Sequence, residues 1–361
     1  MDSLFPRDPP RSVCLLRLSA IGDTCHVLPV LRTLQHAWPA ARFTWLIGKL
    51  EAKLLGHLPD VEFIVFDKKS GLDGYRAYRR AIAGHRFDLL MHMQLAIRAS
   101  LLAALTPATV KLGFDRARAR EGQWLFTNAR IEARSREHVL DSLFGFAERA
   151  GVRERHLRWD IPVPDEARAW AREVIPDDQP TLVISPCSSH PLRNWHAAGY
   201  AAVADHAVRR HRMRVLICGG PTDLERRVGG EIAALMREPA TNLVGRDTLT
   251  GFLATLERSS VLLTPDSGPA HMGTAAGIPV IGLYAATNPA RSGPYLSQPW
   301  CVDRYDAAAR RFMGRPASEI AWTTKIEKPG VMDLIEVGDV IERLDAVMQS
   351  AAASPARTAR D

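Results

Sequence analysis

Short apolar runs alternate with longer segments of helical periodicity along most of the chain. The runs that we predict as strands are VCLLRL (13–18), FTWLIG (43–48), VEFIVF (61–66), DLLMHM (88–93), VKLGF (110–114), TLVISP (181–186), RVLICGG (214–220), NLVG (242–245), VLLTP (261–265) and PVIGLY (279–284). Runs of about five or six apolar residues between helical segments are typical of parallel strands buried on both faces. The pattern therefore predicts an α/β protein.

Helical segments lie between these strands, and the alternation is interrupted once. Helices are predicted near 24–37, 50–57, 73–84, 97–105, 136–150, 196–210, 222–237 and 248–258, with a further one from about Pro269. The segment 151–180 contains four prolines and two acidic pairs, and we predict it as a linker. An amphipathic pattern over 334–350 predicts a closing helix, followed by a disordered tail over 351–361.

A chain of 361 residues is longer than most domains with a single hydrophobic core, so two domains are expected. We predict Rossmann-like domains over 1–165 and 166–361 that face each other across a cleft. In such sheets ligands bind outside the carboxyl ends of the strands, so candidate chemistry is sought in the loops that follow them.

The charge balance narrows the class of partner. There are 47 Lys and Arg against 40 Asp and Glu, which gives a net charge of +7 and a pI near 9.4. This surplus favours an anionic partner, such as a nucleotide, a nucleic acid or an acidic membrane surface, although a solvated basic surface would account for it equally well. Aromatic residues make up only 7%, and no basic stretch is interleaved with them, which argues against nucleic acid.

Cysteine spacing and hydropathy indicate a reducing, non-secretory setting. The five cysteines are scattered without zinc-site spacing, and we expect buried free thiols in a reducing cytoplasm. The N-terminal residues lack the apolar core of a signal peptide. The uncharged stretch 267–290 is interrupted by Gly and Pro, so it is not expected to span a membrane.

The turn after the first strand, SAIGDTCH (19–26), contains the first candidate residue. Gly22 permits a tight turn, and Asp23 falls at or near the start of the next helix. A carboxylate there can accept a proton from a hydroxyl nucleophile, or it can simply cap the helix. The sequence leaves both readings open.

Three strand ends in the second half offer groups that suit a nucleotide. Asp266, Ser267 and Gly268 open a helix whose N-terminus suits a diphosphate. Ser188, Ser189 and Arg193 follow another strand and could hold phosphates, or form an ordinary polar loop. The carboxylates that could bind ribose hydroxyls after a third strand are Asp223 and Glu225.

Several well-known motifs are absent from the sequence. It contains no G-x-G-x-x-G, no G-x-x-x-x-G-K, no H-E-x-x-H and no Asp-x-Asp. Dinucleotide oxidoreductases, P-loop NTPases and metal-dependent transferases are therefore disfavoured. We predict no metal site and no cofactor.

Taken together, the motifs resemble those of glycosyltransferase family 9, the heptosyltransferases. The segments that carry the resemblance are IGD-x-x-H-x-LP (21–29), the D-x-x-x-x-x-Q stretch that ends at Gln94, KLGFD (111–115), PLRNW (191–195), TPDSGPAHMGTAAGIPVIGLYAATNP (264–289) and KIEKPGVMDLIEVGDV (325–340). The resemblance implies a GT-B fold and an inverting, metal-free transfer of heptose from an ADP-sugar. The acceptor would be the inner core of lipopolysaccharide, at the cytoplasmic face of the inner membrane.

The resemblance also implies roles for individual residues. Asp23 would be the general base, and Ser188 and Ser189 would lie near the phosphates. Arg193 stands where many relatives have Lys, and either Asp223 or Glu225 would meet the ribose. The residues that would hold the donor's diphosphate and sugar are Asp266, Ser267, Gly268 and His271.

The prediction of residues that bind the acceptor rests on fewer observations. Gln94, Arg98 and Arg120 are candidates to bind a polyanionic glycolipid, with solvated surface as the alternative for the two arginines. Kdo–lipid A and a core that already carries heptose are both possible acceptors, and Arg193 with the KIEKPGVM segment favours the first. The alternatives are a GT-B nucleotide-sugar epimerase, a transferase with another donor, and a non-catalytic protein that binds an anionic glycolipid.

Overall fold

The computed structural model describes residues 3–5 and 8–353, which divide into two compact units, Met1–Pro162 and Val163–Asp361. The division falls three residues before the domain boundary predicted from the sequence. The elements of the first unit are β1 (Ser12–Leu16), α1 (Ile21–Ala37), β2 (Arg42–Gly48), α2 (Lys49–Leu55), β3 (Val61–Phe66), α3 (Gly71–Ala81), β4 (Phe87–His92), α4 (Ile97–Leu105), β5 (Ala108–Gly113), β6 (Ala129–Arg130) and α5 (Val139–Ala150).

Within the described residues, the first unit contains a six-stranded parallel sheet in the order β3-β2-β1-β4-β5-β6. In β1, which is central, residues 13–16 are completely buried. Leu15 pairs with Trp45 on one side and with Met91 on the other. Burial on both faces explains why the strands appear in the sequence as continuous apolar runs.

The second unit repeats this architecture. Its elements are α6 (Asp165–Val174), β7 (Thr181–Ile184), α7 (Ala197–His211), β8 (Arg214–Ile217), α8 (Asp223–Leu235), β9 (Thr241–Asn242), α9 (Leu249–Glu257), β10 (Val261–Pro265), α10 (Gly268–Ala276), β11 (Val280–Tyr284), α11 (Pro289–Ser292), β12 (Val302–Asp303), α12 (Tyr305–Met313) and α13 (Val337–Ala353). Its parallel sheet, counted over the described residues, has six strands in the order β12-β11-β10-β7-β8-β9. Both orders are those of a doubly wound Rossmann fold, and the α/β prediction is confirmed.

The prediction of a linker over the whole of 151–180 was wrong, because α6 occupies Asp165–Val174. This helix starts after Pro164 with Asp165 and Glu166 in its first turn. Acidic side chains there interact favourably with the positive end of the helix dipole. Its buried residues, Ala167 and Ala171, are one turn apart. Pro164 and the first of the two acidic pairs, which contributed to the linker prediction, are signals of a helix start.

Three further differences concern the ends and the shortest elements. The predicted disordered tail is helical at 351–353, because α13 continues to Ala353, and residues 354–361 lie outside the described residues. The sequence analysis did not predict β6 and β12, which have two residues each and are too short to show a period. It also missed α12.

The expectation of buried free thiols is confirmed. Cys14, Cys25, Cys187, Cys218 and Cys301 are all free and buried. Burial raises the pKa of the thiols of Cys25 and Cys301 to about 12 and that of Cys187 to about 11. Within 3–5 and 8–353, no helix has both the length and the apolar character needed to cross a membrane.

Candidate active site

Both sheets place the predicted site residues at equivalent positions. The strand order reverses between β1 and β4 in the first sheet, and between β7 and β10 in the second. Loops that leave the carboxyl ends of such a strand pair diverge and open the crevice in which doubly wound sheets bind ligands. Asp23 and Gln94 follow β1 and β4, while Arg193 and Asp266 follow β7 and β10.

Asp23 lies in the first turn of α1, and 34% of its side chain is exposed. Its Oδ2 accepts a hydrogen bond from the backbone N–H of Ala20 at 3.2 Å. The helix begins at Ile21, three residues before the predicted start, because Asp23 caps it from inside the first turn. The capping interpretation is therefore confirmed. The exposed part of the carboxylate leaves room for the proton-accepting interpretation as well.

Arg17 organises this turn, and the sequence analysis missed it. Its guanidinium forms an ion pair with Asp23, donates from Nε to the carbonyl of Ser19 at 2.7 Å, and donates to the carbonyl of Met93. Only 14% of its side chain is exposed. The available signal was a single charge at the end of an otherwise apolar strand, where burial requires a charged group to be paired.

Gln94 lies beside the same turn. Its Oε1 accepts from the N–H of Leu18 at 2.7 Å, and its Nε2 donates to Ser19 Oγ at 3.3 Å. The buried amide of Gln123 donates to the carbonyl of Gln94 at 3.0 Å. The side chain of Gln94 thus holds the loop that leads to Asp23, and its contact with an acceptor remains a prediction.

The basic residues of the first unit are not equivalent. Arg98 on α4 and Arg120 in the loop after β5 are exposed, as a role in capturing a ligand requires. Arg118, by contrast, forms ion pairs with Asp115 and Glu137 and donates to Ser142 Oγ at 2.8 Å. Arg118 therefore stabilises the loop, whereas the charges of Arg98 and Arg120 lie at the surface.

In the loop after β7, the two serines differ. Ser188 is buried, its Oγ donates to the carbonyl of His190 at 2.9 Å, and its N–H donates to Asn194 Oδ1 at 2.7 Å. Ser188 shapes the loop through these bonds. Ser189 is exposed beside it, so its hydroxyl can turn towards a ligand.

Arg193 connects the loops that follow β7 and β10. Its Nε and Nη2 donate to Glu327 Oε1 at 2.8 and 2.6 Å, and its Nη1 lies 3.5 Å from Asp266 Oδ2. Partial burial works against ionisation of Glu327, but the hydrogen bonds from Arg193 prevail and lower the pKa of that carboxyl. Two predicted donor residues, Arg193 and Asp266, are thus brought together. Glu327 is the third charged residue of this group, and it was not among the residues predicted from the sequence.

The helix α10 begins directly beyond Asp266. Ser267 precedes it, with Oγ at 2.9 Å from Thr264 Oγ1, and Gly268 is its first residue. His271 is buried in the first turn. The helix lies close to the sheet because residue 273 is glycine, where a Cβ would come within 2.6 Å of Val280 Cγ2. The positive end of a helix dipole is thereby held where the strand order reverses, between β7 and β10, and it suits a phosphate there.

The carboxylates after β8 are arranged differently from each other. Glu225 accepts from the N–H of Gly220 at 2.8 Å and from Thr222 Oγ1 at 2.6 Å, whereas Asp223 is exposed at the start of α8. Burial raises the pKa of nearby Asp247 to about 7, and the charge of Glu225 adds to this effect. The sequence analysis did not predict this third carboxyl group as a site residue.

Among the described residues, one cluster has the spacing of metal ligands, and it was not predicted from the sequence. The Nε2 atoms of His206 and His211 lie 2.8 and 2.6 Å from Asp345 Oδ1. These three side chains could hold a divalent metal ion, since their ligand atoms lie within 4.8 Å of one another. As they stand, they join the end of α7 to α13 through hydrogen bonds, and none of them belongs to the loops at the strand reversal.

The chain is similar to known glycosyltransferases in sequence. The family described as glycosyltransferase family 9 (heptosyltransferase) matches residues 75–329. Over 335 residues the chain is 39% identical to the lipopolysaccharide core heptosyltransferase OpsX of Haemophilus influenzae, a match that covers 93% of this chain and 96% of that protein.

Solved structures extend the similarity to the fold. The glycosyl transferase family 9 structure from Veillonella parvula superposes with a TM-score of 0.78 at 22% identity, covering 94% of this chain and 97% of that one. The E. coli heptosyltransferase WaaC with ADP-2-deoxy-2-fluoro heptose gives a TM-score of 0.64 at 20% identity, with 77% and 90% covered. The predicted GT-B fold is confirmed.

Proposed function

We propose that this chain, which belongs to glycosyltransferase family 9, the heptosyltransferases, transfers heptose from ADP-heptose to the lipopolysaccharide core, with inversion and without a metal ion. The donor is supported by the E. coli relative, which holds an ADP-2-deoxy-2-fluoro heptose. The observation that carries the proposal is the position of Arg193, 3.5 Å from Asp266 at the start of α10.

The proposed donor site lies at the strand reversal of the second unit. Arg193 and the N-terminus of α10 stabilise the negative charge that grows on the diphosphate as it leaves. A fixed cation and a helix dipole can fill this role in place of a divalent ion. Ser189 contributes a hydroxyl near the phosphates. Glu225 is the better candidate for the ribose, because its carboxylate is already oriented by Gly220 and Thr222.

The proposed transfer is a single displacement. The acceptor hydroxyl oxygen attacks the anomeric carbon from the face opposite the diphosphate, and the bond from that carbon to the phosphate oxygen breaks. Asp23 accepts the hydroxyl proton, and ADP leaves with the bonding electron pair. Inversion follows because one bond forms opposite the bond that breaks.

The proposed acceptor is the inner core of lipopolysaccharide, with Kdo–lipid A favoured over a core that already carries heptose. Arg98 and Arg120 are exposed cations that can attract its carboxylates and phosphates. The reaction is proposed for the cytoplasmic face of the inner membrane, as the family resemblance implies.

The experiment that tests this function offers ADP-heptose and several nucleotide-hexoses to the protein, with each of the two cores as acceptor. The expected product, identified by its mass, is Kdo–lipid A with one added heptose, formed only from ADP-heptose. Conversion of the nucleotide sugar without an acceptor would indicate an epimerase. Binding of the glycolipid without any product would indicate a non-catalytic protein.

A further inference from the structure

The helix α4 presents an apolar surface to solvent. Its exposed residues are Ile97, Arg98, Leu101, Ala104 and Leu105, and only one of these is charged. The large aliphatic side chains Ile97, Leu101 and Leu105 are 44%, 42% and 39% exposed and repeat every four residues, so they form a stripe along one face. The outward face of a surface helix is normally polar.

The stripe continues onto a neighbouring loop. The carboxylate of Glu121 accepts from the N–H of Ile97 at 2.5 Å, which fixes this loop against the start of α4. Trp124 and Leu125, three and four residues further along, are 44% and 75% exposed. Isolated exposed apolar residues need no explanation, but five of them on a helix and on the loop that is bonded to its start indicate a surface that meets something apolar. We call these five residues the α4 apolar face.

Basic side chains accompany this face, and the acidic residue of the loop, Glu121, is engaged with the N–H of Ile97. Arg98 lies on the helix itself, and Arg120 directly precedes Glu121. At the far end of the helix, Lys111 Nζ donates to the carbonyl of Ala103 at 2.7 Å. Aliphatic and Trp side chains accompanied by cations are complementary to the interface of an anionic bilayer.

The position of the face agrees with a membrane-borne substrate. The helix starts three residues after Gln94, whose side chain binds the loop that leads to Asp23. Three residues of chain span at most about 10 Å. A bilayer in contact with Ile97 would therefore present its headgroups close to the edge of the sheet that bears Asp23.

We propose that the α4 apolar face docks on the surface of an anionic lipid bilayer and so positions a lipid-anchored acceptor beside Asp23. This inference rests on the proposed function for the identity of the acceptor. The contact with lipid is a separate property, which can be measured without any transfer reaction.

The test is cosedimentation of the full chain with vesicles of phosphatidylethanolamine and phosphatidylglycerol. The double variant Leu101→Gln, Leu125→Gln should bind about tenfold more weakly than the wild type, since it loses part of the apolar contact area of two side chains. The matched control is Leu235→Gln, on α8, because Leu235 is 53% exposed but belongs to the other unit. This control should bind like the wild type.

Activity assays distinguish the proposed docking surface from the proposed transfer function. With the acceptor embedded in vesicles, the double variant should show a raised KM. With a deacylated, water-soluble core acceptor, its KM and kcat should match those of the wild type, which also demonstrates that it is folded. If even the wild-type protein transfers nothing to the soluble acceptor, the proposed function fails, and vesicle binding alone then decides for or against the docking surface.

Two outcomes would overturn the docking surface. One is equal vesicle binding by the wild type and the double variant, or no binding by either. The other is a wild-type dimer in solution that the double variant converts to a monomer without any vesicle binding, because a second copy of the chain would then cover the face.

Discussion

The guanidinium of Arg17 forms an ion pair with the carboxylate of Asp23 across the turn that follows β1. The N–H of Ala20 is directed at the same carboxylate oxygen, Oδ2. The proposed base is therefore held by a cation and a backbone donor. Pre-orientation of this kind reduces the reorganisation that a proton transfer requires.

Replacement of Asp23 by Asn should lower turnover by about two to four orders of magnitude, the usual span for loss of a general base. The amide can still accept from the N–H of Ala20 but cannot take a proton, so the fold and the affinity for ADP should change little. Steady-state kinetics, calorimetry with ADP and thermal unfolding measure the three effects. Wild-type turnover in Asp23→Asn would leave this residue as a helix cap alone.

Arg193→Ala should weaken ADP binding by roughly 1.5–3 kcal/mol, the cost of a lost hydrogen bond to a charged group. The loss also leaves Glu327 and Asp266 without their cation, which makes the site less favourable to an anion. Gly268→Val should also weaken binding, because a branched side chain hinders the approach of phosphate to the backbone. Titration calorimetry with ADP measures both effects.

Arg214→Ala is the matched control for Arg193. Arg214 donates to Asp177 Oδ2 at 2.9 Å, in the same unit but at the amino end of β8, the edge of the sheet opposite the site. Its loss should leave the affinity for ADP unchanged. The proposed pocket is refuted if Arg193→Ala and Gly268→Val bind ADP like the wild type.

Heptose transfer should continue in excess EDTA, because Arg193 and the N-terminus of α10 occupy the role that a metal ion would have at the leaving group. The measurement is the initial rate before and after dialysis against the chelator. Complete loss of activity that Mg²⁺ or Mn²⁺ restores would contradict this expectation.

Asp247 should make the stability of the protein depend on pH. Its pKa is raised by burial from 3.8 to about 7 in the folded state, so between these values the folded chain holds a proton that the unfolded chain releases. Its contribution is therefore most favourable below pH 4 and is lost as the pH rises through 7. Asp247→Asn should raise the Tm relative to the wild type more at pH 8 than at pH 5. An equal Tm difference at both values would show that Asp247 ionises normally.

Arg98→Ala and Arg120→Ala should each raise the KM for the glycolipid acceptor and leave the KM for the donor nearly unchanged. The wild-type acceptor KM should also rise with salt, since exposed charges are screened over about 8 Å at physiological ionic strength. Arg209→Ala, an exposed arginine of the second unit, is the control. An acceptor KM that is insensitive to salt and to both substitutions would identify these arginines as ordinary surface residues.

The sequence was sufficient for the α/β architecture because strands buried on both faces leave continuous apolar runs, and because strand ends mark where chemistry collects. It placed Asp23, Arg193 and Asp266 in the segments that follow strands, and the structure has them there. It could not reveal the partner of Arg193, because Glu327 is 134 residues away in the chain. The contact depends on how the loops of the second unit fold back, and no local pattern encodes that.

The wrong and missing predictions also have causes in the local sequence. In α6, prolines and acidic residues that begin a helix have the same composition as a flexible linker. In β6 and β12, two residues cannot show a period of two. Arg17 was overlooked because a single charge in an apolar run is usually a strand end exposed to water, whereas here it is buried and paired with Asp23.

The five buried cysteines are natural probes of local unfolding. Alkylating reagents react with thiolates, and these thiols are both shielded and reluctant to ionise, so labelling has to wait until the surrounding structure separates. Cys14 and Cys25 belong to the first unit, and Cys187, Cys218 and Cys301 belong to the second. The rate at which each position is modified therefore reports on the unit that contains it, so the two halves of the molecule can be followed independently without any introduced label.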